Sequence, residues 1–394
     1  MFVGKNLTNI RILHGYTRKQ LSEMLEISEQ AVWQYENGYM SPKLEVINKM
    51  KRIFKVKSKY FYSEDFLSKN GKSNIQQCHI AYRADIINSA QKTQSEAKTI
   101  EFISSFLNVI EKKLHYPPNG IAVLREKVIQ YLNFSDEDRK TKIKQIAKMS
   151  REFLEIGNKS NLNLLFILEK KGAFIFEKAI GERIDAYSLW AEDGRPFIVL
   201  GNLKKSAARR NFDLAHELGH LLLHYKVEFS SLDNKAHREH EQEANLFAGA
   251  FLLPEAEFIE DFNSLSKNSA PDSYIDLKRK WIVSIQALAY RAHSLGLLDY
   301  QKYRYFNIKL NRQGYKTREP LDEEIKITKP GKVKSILQLL FDKNYLSLGT
   351  LLDTLKVDIE FLSTLLGIEI EFFEKYQIDL SKEFTIADLN VKVQ

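Results

Sequence analysis

The sequence predicts a mostly α-helical protein with a small β-sheet, an α+β fold, built from more than one domain. Apolar residues recur at helical spacing along most of the chain, as at Leu21, Met24 and Leu25. By contrast, residues 172–201 alternate in polarity and are rich in β-branched and aromatic residues, which is typical of short strands or hairpins. A chain of 394 residues is too long for one ordinary core, so we expect two or three domains.

The N-terminal segment has the pattern of a compact helical domain. Thr17 followed by Gln20 is a capping box, which predicts the start of a second helix. Ser28 predicts the N-cap of a third helix, and Asn37 with Gly38 predicts its end.

Most of the remaining chain is expected to be helical. The sequence HYPPNG at 115–120 should interrupt one helical segment, and Pro254 should end another. Helices are predicted over 80–157, 238–253 and 270–312, and again in a Leu- and Ile-rich tail that follows a polar stretch starting near 319.

Composition excludes a membrane span and a disulfide framework. Hydrophobic residues make up 44% and charged residues 28% of the chain, and no apolar run approaches the ~18 residues of a membrane span. The N-terminus lacks the apolar core of a signal peptide, and a single cysteine, Cys78, leaves no pair for a disulfide within the chain. We therefore predict a cytoplasmic protein without a membrane partner.

Positive charge is concentrated near the N-terminus. The net charge of the chain is +8, and residues 1–60 hold 11 Lys and Arg against 5 Asp and Glu, a net of +6. A concentrated basic segment is typical of nucleic-acid binding. We therefore predict double-stranded DNA as a partner of this segment.

The segment 215–225, AHELGHLLLHY, places three histidines and a glutamate on an apolar helix. Residues four apart share a helix face, about 6 Å apart along the axis, so His216 and His220 can direct two imidazole nitrogens at one ion. Glu217 lies at the edge of that face and can reach a water beside the ion, as in the H-E-x-x-H pattern of zinc metallopeptidases. His224 lies about 12 Å along the axis from His216, so we expect it at the helix end or beside a ligand.

A third protein ligand is expected on the next helix, because catalytic zinc sites usually have three protein ligands and a water. Glu241 is favoured, since small and apolar residues follow it on the same helix face. Asn245 lies one turn further on and could hydrogen-bond a ligand histidine. The alternatives for the third ligand are Glu239, His240 and Glu243.

The segments RRNFDLAHELGHLLLHY and EQEANLFAGAFLLP closely resemble the ImmA/IrrE metallopeptidases, a gluzincin-like group. The resemblance covers roughly residues 80–315. It implies that His216, His220 and Glu241 bind Zn²⁺ and that Glu217 is the general base of a zinc metalloendopeptidase.

Two further features of such an enzyme are less well defined by the sequence. The strand RPFIVL, before the histidine helix, could pair with an extended substrate. Weak candidates for a donor to the oxyanion are Tyr187, His237 and Arg210.

The segment 17–42, TRKQLSEMLEISEQAVWQYENGYMSP, resembles the helix-turn-helix of Xre-type, phage-repressor-like regulators. The resemblance implies that Glu29, Gln30 and Gln34 face the major groove and that Arg18 meets the phosphate backbone. Such modules bind well as dimers on palindromic half-sites, so a homodimer is expected. The alternative is a helical module for protein contact, against which the local basic excess argues.

These resemblances predict the domain organisation and the function. The expected domains are a helix-turn-helix domain over 1–66, a linker over 67–79, a metallopeptidase domain with a helical extension over 80–315, and a helical C-terminal domain over 316–394. The family's substrate is typically a helix-turn-helix repressor, cleaved to release stress, phage or mobile-element genes. Two alternatives are a non-proteolytic transcription factor with a structural or sensory zinc site, and an antitoxin or defence component. Glu217 favours the enzyme, since structural zinc needs no base.

Overall fold

A computed structural model describes the chain in separate ranges. These are residues 1–64, 67, 81–82, 90–112, 114, 118–158, 160–178, 186–202, 206–227 and 232–377. Cys78 and all but the first residue of the predicted linker lie outside the described residues. The fold is mostly helical with one small sheet, which confirms the predicted α+β class.

The elements follow one another in this order. The N-terminal elements are α1 (Gly4–Leu13), α2 (Arg18–Leu25), α3 (Glu29–Glu36), α4 (Leu44–Phe54) and a 3₁₀ turn (Ser58–Tyr62). The central elements are β1 (Ala81–Tyr82), α5 (Ala90–Glu111), α6 (Gly120–Phe134), α7 (Arg139–Phe153), α8 (Leu164–Lys170), β2 (Phe174–Lys178), β3 (Ala186–Trp190), β4 (Pro196–Gly201), α9 (Ala207–Leu223), α10 (Asn234–Leu252) and α11 (Glu255–Asn263). The remaining elements are a 3₁₀ turn (Pro271–Tyr274), α12 (Ile275–Trp281), α13 (Ile285–Ser294), α14 (Tyr300–Arg312), α15 (Lys332–Asp342), α16 (Leu348–Leu355), α17 (Ile359–Leu366) and α18 (Ile370–Glu374).

The described residues divide into two compact units. The first contains those of 1–10, 18–66 and 334–377, and the second contains those of 11–17 and 67–333. The C-terminal helices from 334 onward thus group with the N-terminal helices, unlike the separate C-terminal domain expected from the sequence. Across the described residues, no helix combines the length and the apolar character needed to cross a membrane.

The helix boundaries in the first unit follow from local capping. Ser28 Oγ accepts a hydrogen bond from the backbone N–H of Ala31 at 3.1 Å, which starts α3 as predicted. The helix ends at Glu36, and Asn37 is its C-cap, again as predicted. Val32 and Tyr35 point from this helix into the core of the unit and are buried.

The sheet of the second unit has the strand order β1-β3-β4-β2. Strand β4 runs parallel to β2 and antiparallel to β3, so both of its edges are occupied. The expectation that RPFIVL pairs with an extended substrate is therefore wrong, because a strand inside a sheet has no free backbone edge. All six residues of β4 are buried, consistent with its inner position.

Helices α9 and α10 pack closely against each other, and α9 also packs against strand β3 of the sheet. Ser206 caps α9 by accepting from the N–H of Arg209. A Cβ added at Gly219 would lie 3.0 Å from the ring of Phe247, so glycine permits this close approach. Ala244 and Ala248 on α10 are fully buried, as expected for small residues at a tight helix contact.

A buried polar cluster connects the N-terminal part of α9 with the C-terminal end of α10. Asn161, 1% exposed, donates to the carbonyls of Leu252 and Trp281 at 3.0 and 2.6 Å. Its side-chain oxygen accepts from Arg151 at 2.7 Å, and its own carbonyl accepts from Asn211 on α9 at 3.1 Å. Because buried carbonyls are costly when unsatisfied, the cluster ties α9, α10 and α12 into one arrangement.

Candidate metal centre

Three side chains from α9 and α10 converge on one point. His216 Nε2 lies 3.0 Å from His220 Nε2. Glu241 approaches both, with Oε2 at 3.4 Å from His216 Nε2 and Oε1 at 3.2 Å from His220 Nε2. Among the described residues, this is the group of His, Cys, Asp and Glu side chains whose ligand atoms cluster tightly enough to hold a metal ion.

The dimensions of this triangle fit a small divalent cation. A tetrahedral zinc ion with nitrogen and oxygen ligands at about 2.0–2.2 Å has its ligand atoms about 3.4 Å apart. The three observed separations are 3.0, 3.2 and 3.4 Å. Glu241 Oε1 is buried and, within the described part of the chain, accepts no hydrogen bond. A cation bound by these three residues would satisfy this oxygen.

Electrostatics keep the third ligand anionic. Burial alone would raise the pKa of Glu241, but the neighbouring imidazoles of His216 and His220 lower this pKa well below its usual range. The site thus offers two imidazole nitrogens and one carboxylate, which is a common set for catalytic zinc.

His216 is oriented from behind by α10. Its Nδ1 lies 3.1 Å from Asn245 Oδ1. An amide oxygen only accepts, so Nδ1 carries the proton and the lone pair on Nε2 faces the triangle. Asn245 therefore takes the supporting position that the sequence suggested for it.

His220 is oriented by a longer chain of hydrogen bonds. Its Nδ1 lies 3.0 Å from His224 Nδ1, and His224 Nε2 lies 2.9 Å from Glu243 Oε2. Arg139, on α7, donates to both oxygens of Glu243 at 2.8 and 2.6 Å. His220, His224 and Glu243 thus link the metal triangle to α7.

The pKa values in this chain fix the direction of each hydrogen bond. Burial lowers the pKa of His224 to about 3, so His224 is neutral. Burial raises the pKa of Glu243, but Arg139 and His224 lower it to about 2, so Glu243 can only accept. His224 therefore donates from Nε2 and accepts at Nδ1. It follows that His220 donates from Nδ1 and directs its Nε2 lone pair to the triangle.

Glu217 follows His216 on α9 and is fully buried. Its Oε2 accepts a hydrogen bond of 2.7 Å from Ser188 Oγ, which projects from β3. The same hydroxyl lies 3.2 Å from the Glu217 carbonyl. Because α9 packs on β3, the sheet holds this carboxylate in one orientation.

The other candidates lie elsewhere. Glu239 is exposed, and His240 Nδ1 lies 2.7 Å from the carbonyl of Ala236. Glu243 contacts His224 instead of the triangle. Two of the suggested oxyanion donors are also engaged away from it: Tyr187 donates to Glu96 at 2.6 Å and Arg210 pairs with Glu177 at 3.3 Å.

A cavity of about 430 Å³ opens along the same face of α9. Phe212 lines this cavity, and its ring centroid lies 6.1 Å from that of His216. Helices α13 and α14 supply the opposite wall through Ala287, Tyr290 and Tyr303. The cavity therefore lies one helical turn from the metal ligands.

The proposed DNA-contacting residues lie on the first unit. Glu29 and Gln30 are exposed in the first turn of α3, and Gln34 is half-buried one turn later. Arg18 donates to the buried carboxylate of Glu36 at 2.6 Å, although its side chain remains 41% exposed. Arg18 is thus anchored to α3 with part of its side chain in solvent.

Sequence reasoning missed the residues that support the site from other elements. Arg139 and Ser188 are far from the histidine helix in sequence, and neither belongs to a local pattern that indicates a metal site. For His224 and Glu243 a signal existed, because both flank the predicted ligands. Their pairing with each other depends on how α9 and α10 align, which spacing does not fix.

Comparison with known proteins identifies two regions of the chain. Residues 168–293 match the peptidase M78 family, described as the IrrE N-terminal-like domain. Residues 7–61 match the helix-turn-helix family. The HTH-type transcriptional regulator ImmR of Bacillus subtilis (strain 168) is 29% identical over 75 residues, which are 19% of this chain and 59% of that regulator. The aligned part of the chain thus spans about three fifths of the relative's length. The chain therefore carries a segment that matches the helix-turn-helix family, followed by a segment that matches the IrrE N-terminal-like domain of the peptidase M78 family.

Proposed function

We propose that the protein is a DNA-binding regulator that is also a zinc-dependent endopeptidase, and that it cleaves a partner helix-turn-helix repressor. The observation that carries this proposal is the buried triangle of His216, His220 and Glu241, together with the buried carboxylate of Glu217, which follows His216 on α9. Cleavage of the repressor would release the stress, phage or mobile-element genes that it silences.

The donor set and its supports favour zinc as the ion. Two imidazoles and one carboxylate suit zinc, and each histidine has a hydrogen-bond acceptor behind it, in Asn245 and His224. Three protein ligands leave a fourth tetrahedral position for water or substrate. A site that only stabilises the fold normally fills all four positions with protein.

Glu217 supplies the function that a structural site lacks. A bound zinc ion would polarise the scissile carbonyl and lower the pKa of water toward about 7. Glu217 would accept the proton of the attacking water as the C–O bond forms, and would then deliver it to the nitrogen of the leaving amine as the peptide C–N bond breaks. Ser188 holds the carboxylate in place during both transfers.

The cavity beside His216 is the proposed binding place for a substrate side chain. Its aromatic lining residues, Phe212, Tyr290 and Tyr303, can pack against an apolar or aromatic residue, although the wall also contains the charged Arg209 and Asp213. Since the cavity lies within one helical turn of the ligands, that residue would be close to the cleaved bond. Recognition of one such segment is consistent with limited cleavage of a single partner.

The proposal is tested by cleavage of the repressor encoded next to this protein. The purified full chain is mixed with zinc and that repressor, and products are identified by intact-protein mass spectrometry. We expect one cut with the parent protein. We expect a rate at least 10²-fold lower with Glu217→Gln, because removal of a general base typically costs 10²–10⁴-fold.

The control is Glu239→Gln, the same substitution at an exposed glutamate of α10. This variant should cleave at the parent rate, and Glu217→Gln should still bind zinc. Equal cleavage by Glu217→Gln and the parent protein would rule out the proposed mechanism. Absence of cleavage by the zinc-loaded parent would favour a transcription factor with a non-catalytic metal site.

A further inference from the structure

The C-terminal part of the first unit repeats the geometry of the N-terminal helix-turn-helix. Helices α2 and α3 have eight residues each, and so do α16 and α17. In each pair, the first residue of the connection is left-handed: Glu26 has φ 58° and Lys356 has φ 58°. This conformation is rare for residues other than glycine, so its repetition indicates the same type of turn.

The hydrogen bonds of the two turns also correspond. The N–H of Ile27 donates to the carbonyl of Ser22 at 3.0 Å, and the N–H of Val357 donates to that of Leu352 at 3.2 Å. In both cases an apolar residue folds back over the end of the first helix. Segment 348–366 thus repeats the helix lengths and the turn of α2 and α3, although neither family match covers it.

This second motif is paired with the end of α4. Val56 and Val357 form an antiparallel β-bridge. The N–H of Lys57 donates to the carbonyl of Lys356 at 2.9 Å, and the N–H of Asp358 donates to that of Lys55 at 3.0 Å. The two hydrogen bonds are equivalent when segment 55–57 is exchanged with segment 356–358. The contact therefore has a local two-fold axis.

The similarity extends into the helices on both sides of the bridge. Val56 and Val357 differ by a fixed amount in residue number. When the same amount is added to the number of each buried residue of α4 and its following turn, the resulting position is also a buried apolar residue. Ile47, Met50, Phe54, Tyr60 and Phe61 correspond to Leu348, Leu351, Leu355, Phe361 and Leu362, and all ten are at most 6% exposed. Two like elements therefore face each other around the axis.

At three equivalent positions the charges are opposite, whereas Lys55 corresponds to a like residue, Lys356. Arg52, Lys57 and Lys59 on the N-terminal side correspond to Asp353, Asp358 and Glu360 on the C-terminal side. Lys57 Nζ lies 2.6 Å from Asp353 Oδ1 across the contact. A second N-terminal domain placed on the same axis would instead bring Arg52 to Lys57, two like charges.

We propose that α16 and α17 are an internal, acidic partner for the N-terminal domain. These two helices occupy the surface on which two N-terminal domains could pair around this axis. Their acidic residues complement the basic residues of that surface, whereas a second N-terminal domain would bring basic residues against it. Each chain therefore holds its own pairing partner and does not form a homodimer through this surface. It presents one helix-turn-helix to one DNA half-site.

A disulfide across the bridge tests whether the pairing lies within one chain. Facing residues flanked by such hydrogen bonds have Cα atoms about 4.5 Å apart, which a disulfide accommodates. Val56→Cys and Val357→Cys are combined in the full chain with Cys78→Ser, and ¹⁴N- and ¹⁵N-labelled protein is mixed, partly unfolded, refolded and oxidised. Linked peptides are then identified by mass spectrometry.

We expect peptides of uniform label and a monomer by sedimentation. Mixed-label peptides would show that the motif is exchanged between chains, and a folded variant without a disulfide would show that the contact is absent; either result overturns the proposal. The single variants, also with Cys78→Ser, are folding controls. Val56→Cys alone should remain monomeric when oxidised, and a disulfide between the introduced thiols of two such chains would show that the surface is open to a second copy.

Charge substitutions test the choice of partner. Asp353→Arg with Asp358→Lys should slow formation of the internal disulfide several-fold, more strongly at low salt. Adding Arg52→Asp and Lys57→Asp should restore it. A matched control, Glu371→Arg with Glu374→Lys, changes the net charge equally at exposed positions of α18 and should have no effect. Equal rates in all three variants would contradict the charge complementarity.

Discussion

Helices α9 and α3 both carry polar residues needed for a proposed function, but they hold them in opposite ways. On α9, His216, Glu217 and His220 are at most 3% exposed, and each has a defined neighbour. On α3, Glu29 and Gln30 are exposed in its first turn. Chemistry at a metal ion needs groups fixed before substrate arrives, whereas contact with DNA bases needs groups accessible from solvent. Burial therefore distinguishes the two kinds of site.

The largest effect is expected from removing a ligand on α9. His216→Ala should abolish zinc binding and reduce cleavage at least 10³-fold, because two remaining ligands hold zinc poorly. DNA affinity should be unchanged. Metal content and cleavage are measured with Glu239→Ala as control, since Glu239 is exposed on α10 and is not a proposed ligand. Full zinc retention by His216→Ala would show that the buried residues of α9 do not form the metal site.

The next largest effect is expected from the residue that orients His220. His224→Phe keeps a ring of similar volume but removes the acceptor for His220 Nδ1. Zinc affinity should fall 10- to 100-fold, the usual cost of losing a ligand's supporting hydrogen bond. Competition with a chelator measures this change. If affinity falls less than twofold, the chain through Glu243 and Arg139 has no role in the site.

A smaller effect is expected from the recognition helix. Gln30→Ala should weaken binding to a DNA site selected by the parent protein about tenfold, since one base-reading side chain contributes about 1–3 kcal/mol. Zinc content should not change. Fluorescence anisotropy at fixed salt gives the affinity, with exposed Glu23→Ala on α2 as control. An equal loss for both variants would mean that Gln30 reads no base.

The smallest effect is expected in the cavity. Ala287→Phe should fill part of the space opposite Phe212 and lower kcat/KM a few-fold, mainly through KM, because the change excludes a substrate side chain without touching the ligands. Steady-state cleavage kinetics and zinc content check this. A fall in kcat at unchanged KM would place the cavity outside the substrate path.

The same contrast explains what could be predicted from sequence. His216, Glu217 and His220 lie on one helix, so their spacing alone brings them together. Predicting Glu241 as a ligand required an assumption that α10 packs against α9. Small residues such as Ala244 supported this assumption, since they let the two helices approach each other. For α3, local caps at Ser28 and Asn37 fixed both ends.

Other features depend on contacts between distant segments. Ser188 and Arg139 reach the site only because β3 and α7 pack beside α9 and α10. Strand β4 lies inside the sheet because it pairs with β2 as well as with β3, and alternation of polarity does not specify which strands pair. Likewise, the bridge between Val56 and Val357 joins the two ends of the chain, and no pattern local to either end predicts it.

The most direct test of the central claim is the number of zinc ions bound per chain, measured by elemental analysis after dialysis. The parent protein and the control Glu239→Ala should each retain about one ion, and Glu241→Ala should retain almost none. One full equivalent in Glu241→Ala would contradict the convergence of α9 and α10 on a single cation, and so would a folded parent protein that binds no zinc.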